Sequence, residues 1–486
     1  MSGVESFLAC DGCGAWLPVE ERHPFRCPGA VAADDTDHAL RRRLQVAPEA
    51  RSRLAEAFDS LEPNPLVRFR ELFHVYWMAR AHGIEDQRFV DAARELDRRV
   101  RLVSGSGLEE TSYLRSEAIS QAVGCEGLWI KDETGNIGGT HKGRHLASVL
   151  LWLLLERELE SEGVDSPSPL AISSCGNAAW AAAILAKSVD WPLDVFVPSD
   201  APRAAYERLS RLGARWTPCE RRPGERGDPC YRSFSEAVDR GALPFTCQGP
   251  SNGLVIEGGQ TLIWEIVGSL IRNGGRLDRM VVQTGGGALA SACVLGWREA
   301  RQIVPLDKLP RLHAVQTTGA WPLVRAYDAL AERLADRHLG LPGRRPRRLE
   351  ERAELAALLR ERMRAAEIQE ELRYAVSHRS QFMWPWEEQP HSMADAILDD
   401  ETYDWLPLLS GMFESGGYPV VVPEERFAEA NRLAHASVDI DVGDTGSAGL
   451  AGALELADAG EIGAGEHVAV LFTGVRWGSP ARRSAG

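Results

Sequence analysis

From about residue 125 onward the chain alternates short β-rich runs with long helical ones, and no other feature constrains the fold so strongly. The runs are GLWIKDE, PLAISS, LDVFVP, RMVVQT and HVAVLF. Strands separated by helices in this way predict a parallel sheet covered by helices, an α/β fold. Such sheets take their ligands beyond the carboxyl ends of the strands, so function is to be sought at the strand-to-helix junctions.

Three junctions stand out. The first, LWIKDETGNIGGTHKGRHLASVLLWLLL, reads as strand, Gly-rich turn and a helix starting near Lys142. A helix start carries about half a positive charge, which disfavours an ammonium, and Schiff-base chemistry with a carbonyl needs the free amine. The bland alternative is a snorkelling lysine at a helix end. The second, PLAISSCGNAAWAAAILAK, ends a strand in Ser173, Ser174, Cys175, Gly176 and Asn177. Hydroxyls and consecutive N–H groups at a helix start suit a carboxylate, although simple N-capping needs only one serine. The third, RMVVQTGGGALASACVLGW, puts three glycines after a strand, where backbone N–H groups can approach a phosphate closely. Read alone, Gly285 to Ala290 also matches a dinucleotide fingerprint. That reading expects an acidic residue ending the next strand, and no clean strand precedes Asp307.

Composition narrows the partners. With 486 residues, 44% hydrophobic and 26% charged, the chain can bury a sizeable core over two or three domains. A net charge of −15 argues against nucleic acid, whose binders present basic stripes. No apolar run reaches the roughly 18 to 20 residues of a spanning helix, and LASVLLWLLL at Leu146 to Leu155 reads as a buried helix. The start lacks the basic and apolar regions of a signal peptide, and nine scattered cysteines suit a reducing compartment; a cytoplasmic protein without membrane partners is expected.

Three of those cysteines form a separate pattern. Cys10 and Cys13 make a C-x-x-C knuckle, and Cys27 follows, half a zinc ribbon plus one thiolate. A fourth ligand for a structural zinc is available in His38 or His23, against the alternative of free thiols in a small lobe. Beyond this lobe comes an arginine-rich helical connector. The segment from Leu341 to Leu372, dense in Arg, Glu, Ala and Leu, reads as a solvated helical insertion.

The order of the junction motifs is informative: lysine, then Ser-x-Gly-Asn, then Gly-Gly-Gly-x-Leu, then a C-terminal VLFTG. In this the chain resembles the fold type II pyridoxal-phosphate enzymes, the superfamily of threonine synthase, cysteate synthase and the tryptophan synthase β subunit, over about residues 105 to 480. NPLVRFREL, VIEGGQTLIWEI, TGSAGLAGAL and the cysteine lobe look like threonine synthase and cysteate synthase, and GTHK looks like the tryptophan synthase β subunit. The resemblance implies two open parallel-sheet domains with the cofactor between them. It divides the chain into a cysteine lobe at 1–40, a connector at 41–104, a domain at 105–245 with the Schiff-base lysine, and a domain at 246–486 with the phosphate loop and a helical insertion at about 341–400.

The implied roles follow residue by residue. Lys142 bonds the cofactor and acts as base. His141 lies near its phosphate, Asn177 bonds its 3′-oxygen, Gly285, Gly286, Gly287, Ala288 and Leu289 cradle the phosphate, and Thr473 faces the ring nitrogen. Ser174, Cys175, Asn177 and Ala178 stand where the family holds the substrate carboxylate. Arg144 and His145, which follow the lysine in place of the usual acidic residue, are expected to greet an anionic group of the substrate or else to be structural.

The expected activity is β-elimination or β-replacement, through an aminoacrylate, on a serine- or threonine-like or phosphorylated hydroxyamino acid, with a nucleophile as second substrate in the replacement case. Threonine synthase-type chemistry on phosphohomoserine is the alternative. From other classes come a nucleotide-dependent oxidoreductase and a non-catalytic ligand sensor or partner subunit. The superfamily's habits imply a homodimer.

Overall fold

The computed structural model describes residues 3–31, 34–159, 167–221 and 227–476. All five β-rich runs are strands within two parallel sheets. The larger sheet runs, edge to edge, Val420–Val422, Arg311–Thr317, Arg279–Gln283, His467–Phe472, Gly127–Asp132 and Tyr113–Ser116; only the last pairs antiparallel. The smaller runs Arg215–Cys219, Leu193–Pro198, Leu170–Ser173 and Leu243–Pro244, all parallel. The larger sheet therefore draws strands from both sides of residue 245, because the C-terminal strand His467–Phe472 inserts beside Gly127–Asp132 in register Phe472 to Asp132.

The strand that eluded sequence reading, Arg311–Thr317, lies parallel to Arg279–Gln283 and ends at Thr317, with Thr318 next. A dinucleotide site would need an acid there, so the oxidoreductase reading loses its ribose contact.

Helices cover these sheets on faces set by burial. LASVLLWLLL belongs to the helix Lys142–Glu158, whose Leu146 to Leu151 and Trp152 are fully buried. The helix Val255–Asn273 packs across it. A Cβ on Gly258 would stand 2.1 Å from the Arg144 carbonyl oxygen and one on Gly259 2.2 Å from the His145 ring, so both positions need glycine for the helices to meet. Among the described residues no helix is long and apolar enough to cross a membrane.

The lobe at the N-terminus is a three-stranded antiparallel sheet of Val4–Cys10, Trp16–Leu17 and Leu40–Val46. The arginine-rich stretch read as helical connector thus begins as a strand. Two of its arginines are buried because they are matched: Arg42 meets Glu299 at 2.5 Å and Glu257 at 3.4 Å, and Arg41 pairs with Asp404. The insertion is helical, at Leu349–Arg362 and Ala366–Ser377, but it is not simply solvated. Leu355, Leu359, Ile368 and Ala375 are fully buried, and Arg352 forks onto Asp328 at 2.7 and 2.8 Å.

Candidate active site

The chain holds four lysines. Lys131 is buried against Glu265 at 2.6 Å, Lys187 pairs with Asp190 at 3.4 Å, and Lys308 with Asp278 at 2.7 Å. Lys142 is the exception: half-buried at the first position of its helix, its amine makes no hydrogen bond or ion pair among the described residues. A lysine not tied into an ion pair is the type of amine that covalent chemistry uses.

The turn before Lys142 is sewn to the C-terminal strand end. Gly139 accepts from the Val475 N–H at 2.9 Å, and the His141 N–H and Nδ1–H both donate to the Thr473 carbonyl, at 3.2 and 3.1 Å. Gly138 and Gly139 take φ of 66° and 74°, which only glycine adopts at little cost. This bond assigns His141 a different task from the expected phosphate contact. Burial drives its pKa well below the usual value, and with Nδ1 donating, the neutral ring has only a lone pair left at Nε2, which does not suit a phosphate oxygen.

Thr473 is oriented by a residue the sequence reading passed over. The Nε2 of Gln283, the last residue of its strand, lies 2.8 Å from Thr473 Oγ1 and 2.8, 3.1 and 3.2 Å from the carbonyl oxygens of Gly446, Leu471 and Thr445. Three carbonyls can only accept, so the amide nitrogen faces them, and its two hydrogens are shared among these oxygens and Thr473 Oγ1. The threonine's own hydrogen has no acceptor among the described residues and is available to donate. Asn177 starts the helix Asn177–Ser188 and turns its Nδ2 to the same strand end: a Cβ on Gly474 would lie 2.7 Å from it. Ser174 to Ala178 form a half-buried run, with Ser174 Oγ accepting from the Gly176 N–H at 3.2 Å.

The glycine loop is strapped from one side. Asp404 N–H donates to the Gly286 carbonyl and Thr402 Oγ1 to the Gly285 carbonyl, both at 3.0 Å. A Cβ on Gly285 would meet Asp399 Oδ2 at 2.3 Å, and one on Gly287, at φ 95°, would meet Thr402 at 2.9 Å. With the carbonyls bonded to the strap and the Gly286 N–H turned to Asp399, the amides opening the helix Ala288–Ile303 remain as donors for an anion. Asp399 itself faces the loop. Burial pushes its pKa up to about 6, against the opposing pull of Lys142 and the Gly286 N–H. No local signal in the sequence marks the strap, which lies more than a hundred residues beyond the loop.

Of the two roles the sequence left open for Arg144 and His145, the structure gives both residues the structural one. Arg144 is enclosed by Glu133 at 2.7 Å and Glu265 at 2.6 Å, with hydrogen bonds to Thr111 and Thr261, each at 2.9 Å. Its guanidinium is spent on internal carboxylates. His145 donates from Nδ1 to the Val255 carbonyl at 2.9 Å, and burial holds its pKa at about 3, so it offers no cation. Neither reaches a substrate anion.

In the lobe, Cys10, Cys13, Cys27 and His38 place their ligand atoms within 4.8 Å of one another. Cys13 and Cys27 sulfurs are 3.5 Å apart, close to the ~3.8 Å edge of a tetrahedral zinc–thiolate site. His38 Nε2–H donates to Asp34 at 3.0 Å, which fixes the tautomer and leaves Nδ1, 3.6 Å from Cys10 Sγ, free for a metal. His23, the alternative ligand, is instead bonded to Glu156 at 3.0 Å. The donor set fits zinc. The same lobe clamps the strap: Trp405 donates to Asp37 at 2.8 Å, and Arg41 pairs with Asp404.

Comparison with known proteins agrees with this geometry. Residues 105–373, over half the chain, match the family described as pyridoxal-phosphate dependent enzyme, and the chain belongs to that family. Among curated relatives, threonine synthase of Methanosarcina acetivorans is 23% identical over 372 residues, 75% of this chain and 74% of the relative. Two solved structures share the fold. Maize serine racemase is 18% identical, covering 79% of this chain and 92% of its own at a TM-score of 0.52. Diaminopropionate ammonia lyase of Escherichia coli is 14% identical, covering 80% and 89% at 0.54. The fold is type II, the cofactor is pyridoxal 5′-phosphate, and the unpaired lysine and orphan loop amides fit that group.

Proposed function

We propose that the chain catalyses β-elimination or β-replacement on a serine- or threonine-like hydroxyamino acid. Pyridoxal phosphate supplies an electron sink for bonds at the α-carbon of an amino acid attached to it. Lys142 would hold the group and, once its amine is free, would serve as the base beside the substrate's α-proton. The Ser174 to Ala178 run offers a hydroxyl and N–H groups to the substrate carboxylate. Gly285 to Leu289 take the phosphate on their amides, and Asn177 the 3′-oxygen.

The observation that carries the reading is the pair Gln283–Thr473. With the Gln283 N–H on its oxygen, Thr473 would offer its hydroxyl hydrogen to a ring nitrogen held beside it, and a neutral hydroxyl would not keep that nitrogen protonated as a carboxylate would. A shallower sink favours expelling a β-substituent over holding negative charge on the ring. A second reading, threonine synthase-type chemistry on phosphohomoserine, is supported by the match to threonine synthase over 75% of the chain. The internal use of Arg144 and His145 counts against a phosphorylated substrate held by this helix.

The proposal includes a homodimer, a cytoplasmic location, a nucleophilic second substrate in the replacement case and a structural zinc on Cys10, Cys13, Cys27 and His38. Keto-acid and phosphate release from serine, threonine, phosphoserine and phosphohomoserine tests the reading. Keto acid from serine or threonine supports elimination; phosphate release with threonine formation from phosphohomoserine alone transfers the assignment to the second reading. No turnover of any of them, with or without an added thiol nucleophile, rejects both.

A further inference from the structure

A cavity of about 590 Å³ lies between the N-terminal lobe and the helical insertion. It is walled by the strand Leu40–Val46, the helix Ala288–Ile303 and the helices Ala366–Ser377 and Trp405–Ser415. Five arginines line it, Arg41, Arg43, Arg298, Arg364 and Arg373, against two carboxylates, Asp11 and Glu414. Five cations less two anions leave a formal +3 at its walls in a chain whose net charge is −15, with Asp404 behind Arg41 taking up part of it.

The pairing inside the cavity is incomplete. Asp11 serves Arg41 at 3.3 Å and Arg43 at 2.6 Å, and Glu414 serves Arg298 at 2.7 Å. Arg364 and Arg373 have no ion pair or side-chain hydrogen bond among the described residues, yet both line the space. Apolar side chains, among them Leu295, Leu372, Leu406 and Pro407, make up most of the rest of the wall, with Gln369 and Ser410 polar. Unengaged guanidinium forks match phosphate oxygens in pairs, and an apolar wall beside them suits an organic body. The volume falls within the range of about 300 to 1,000 Å³ of small-molecule sites.

We propose that this cavity is a second ligand site, for a phosphorylated small molecule of nucleotide size with an apolar ring, anchored by Arg364 and Arg373. It is separate from the glycine loop but shares a neighbour with it: Arg41 lines the cavity and pairs with Asp404, whose N–H bonds the Gly286 carbonyl.

Isothermal titration calorimetry of the full, cofactor-loaded protein tests this with ADP, pyrophosphate and adenosine as probes. ADP binds, pyrophosphate binds more weakly, and adenosine gives no heat. The exposed pair Arg364→Ala and Arg373→Ala, checked for an unchanged circular dichroism spectrum, weakens ADP by about tenfold per arginine. The cofactor's absorption stays unchanged on adding ADP. Three results would each overturn the proposal: no binding of ADP or pyrophosphate at millimolar concentration, an unchanged affinity in the double variant, or loss of cofactor absorption, which would put the phosphate on the glycine loop instead.

Discussion

Arg144→Met separates a substrate anchor from a structural cation, because the two roles predict opposite phenotypes. Arg144, Lys131, Glu133 and Glu265 are 3%, 0%, 0% and 1% exposed, two cations matched by two anions. Methionine keeps the volume and removes one positive charge, leaving two buried carboxylates to one ammonium. Breaking a buried pair from one side costs about 3–5 kcal/mol, a large share of the 5–15 kcal/mol typical of a folded domain. The pH dependence also has a sign. Burial raises the Glu133 pKa, but Arg144 outweighs it and holds the carboxyl at about 2 against an ordinary 4.5. In the native protein that stabilisation is fully present above pH 4.5 and is lost as pH falls through 2. Without Arg144, a buried carboxyl with a raised pKa destabilises increasingly as pH rises, so the deficit is smaller at pH 5 than at pH 8. Urea unfolding followed by tryptophan fluorescence at both values measures this. A variant within about 1 kcal/mol of wild type at pH 8, with losses confined to phosphorylated substrates, would refute the structural role.

Three further perturbations address the site. Gln283→Glu keeps the shape but sets a carboxylate against three carbonyls and a hydroxyl; we expect a loss of about 2–3 kcal/mol that grows with pH, and an unaltered unfolding midpoint would mean the amide is turned the other way. Asp399→Asn removes a carboxyl that ionises near pH 6 beside the phosphate cradle. Fluorescence titration with pyridoxal phosphate should show wild-type affinity falling between pH 5 and 8 and the variant's staying level; parallel profiles would exclude Asp399 from the cradle. Purified wild type should carry one zinc per chain by elemental analysis. Cys13→Ser should carry much less and release the cofactor more readily, since the lobe holds the strap through Asp37 and Arg41; equal metal in both would remove the zinc site.

The sheet was legible wherever a strand was a compact apolar run between turn signals, as in RMVVQT and HVAVLF. The helix starts at Lys142, Asn177 and Ala288 were legible because each follows a strand through glycine or serine. Arg311–Thr317 was hidden by the charged loop before it and by its own Arg, His and Gln, which find partners only in the folded sheet, such as Arg279 with His313 at 3.1 Å. The strand at Arg41 to Arg43 was hidden for the same reason: its arginines look solvated until Asp11, Glu299 and Asp404 are brought to them across the fold. The choice between a substrate and a structural role for Arg144 and His145 was not legible, because spacing reports which residues share a helix, not which carboxylates face them. The strap of Asp399 to Asp404 had no local signature, since its partner loop lies over a hundred residues away.

Of the four lysines, Lys142 alone is expected to carry the cofactor. Borohydride reduction of the protein incubated with pyridoxal phosphate, followed by peptide mass spectrometry, tests it directly, because only four lysines compete and the other three are ion-paired. One reduced phosphopyridoxyl group is expected on Lys142 and none on Lys142→Ala. A label on Lys131, Lys187 or Lys308, or no label at all on the wild type, would contradict it.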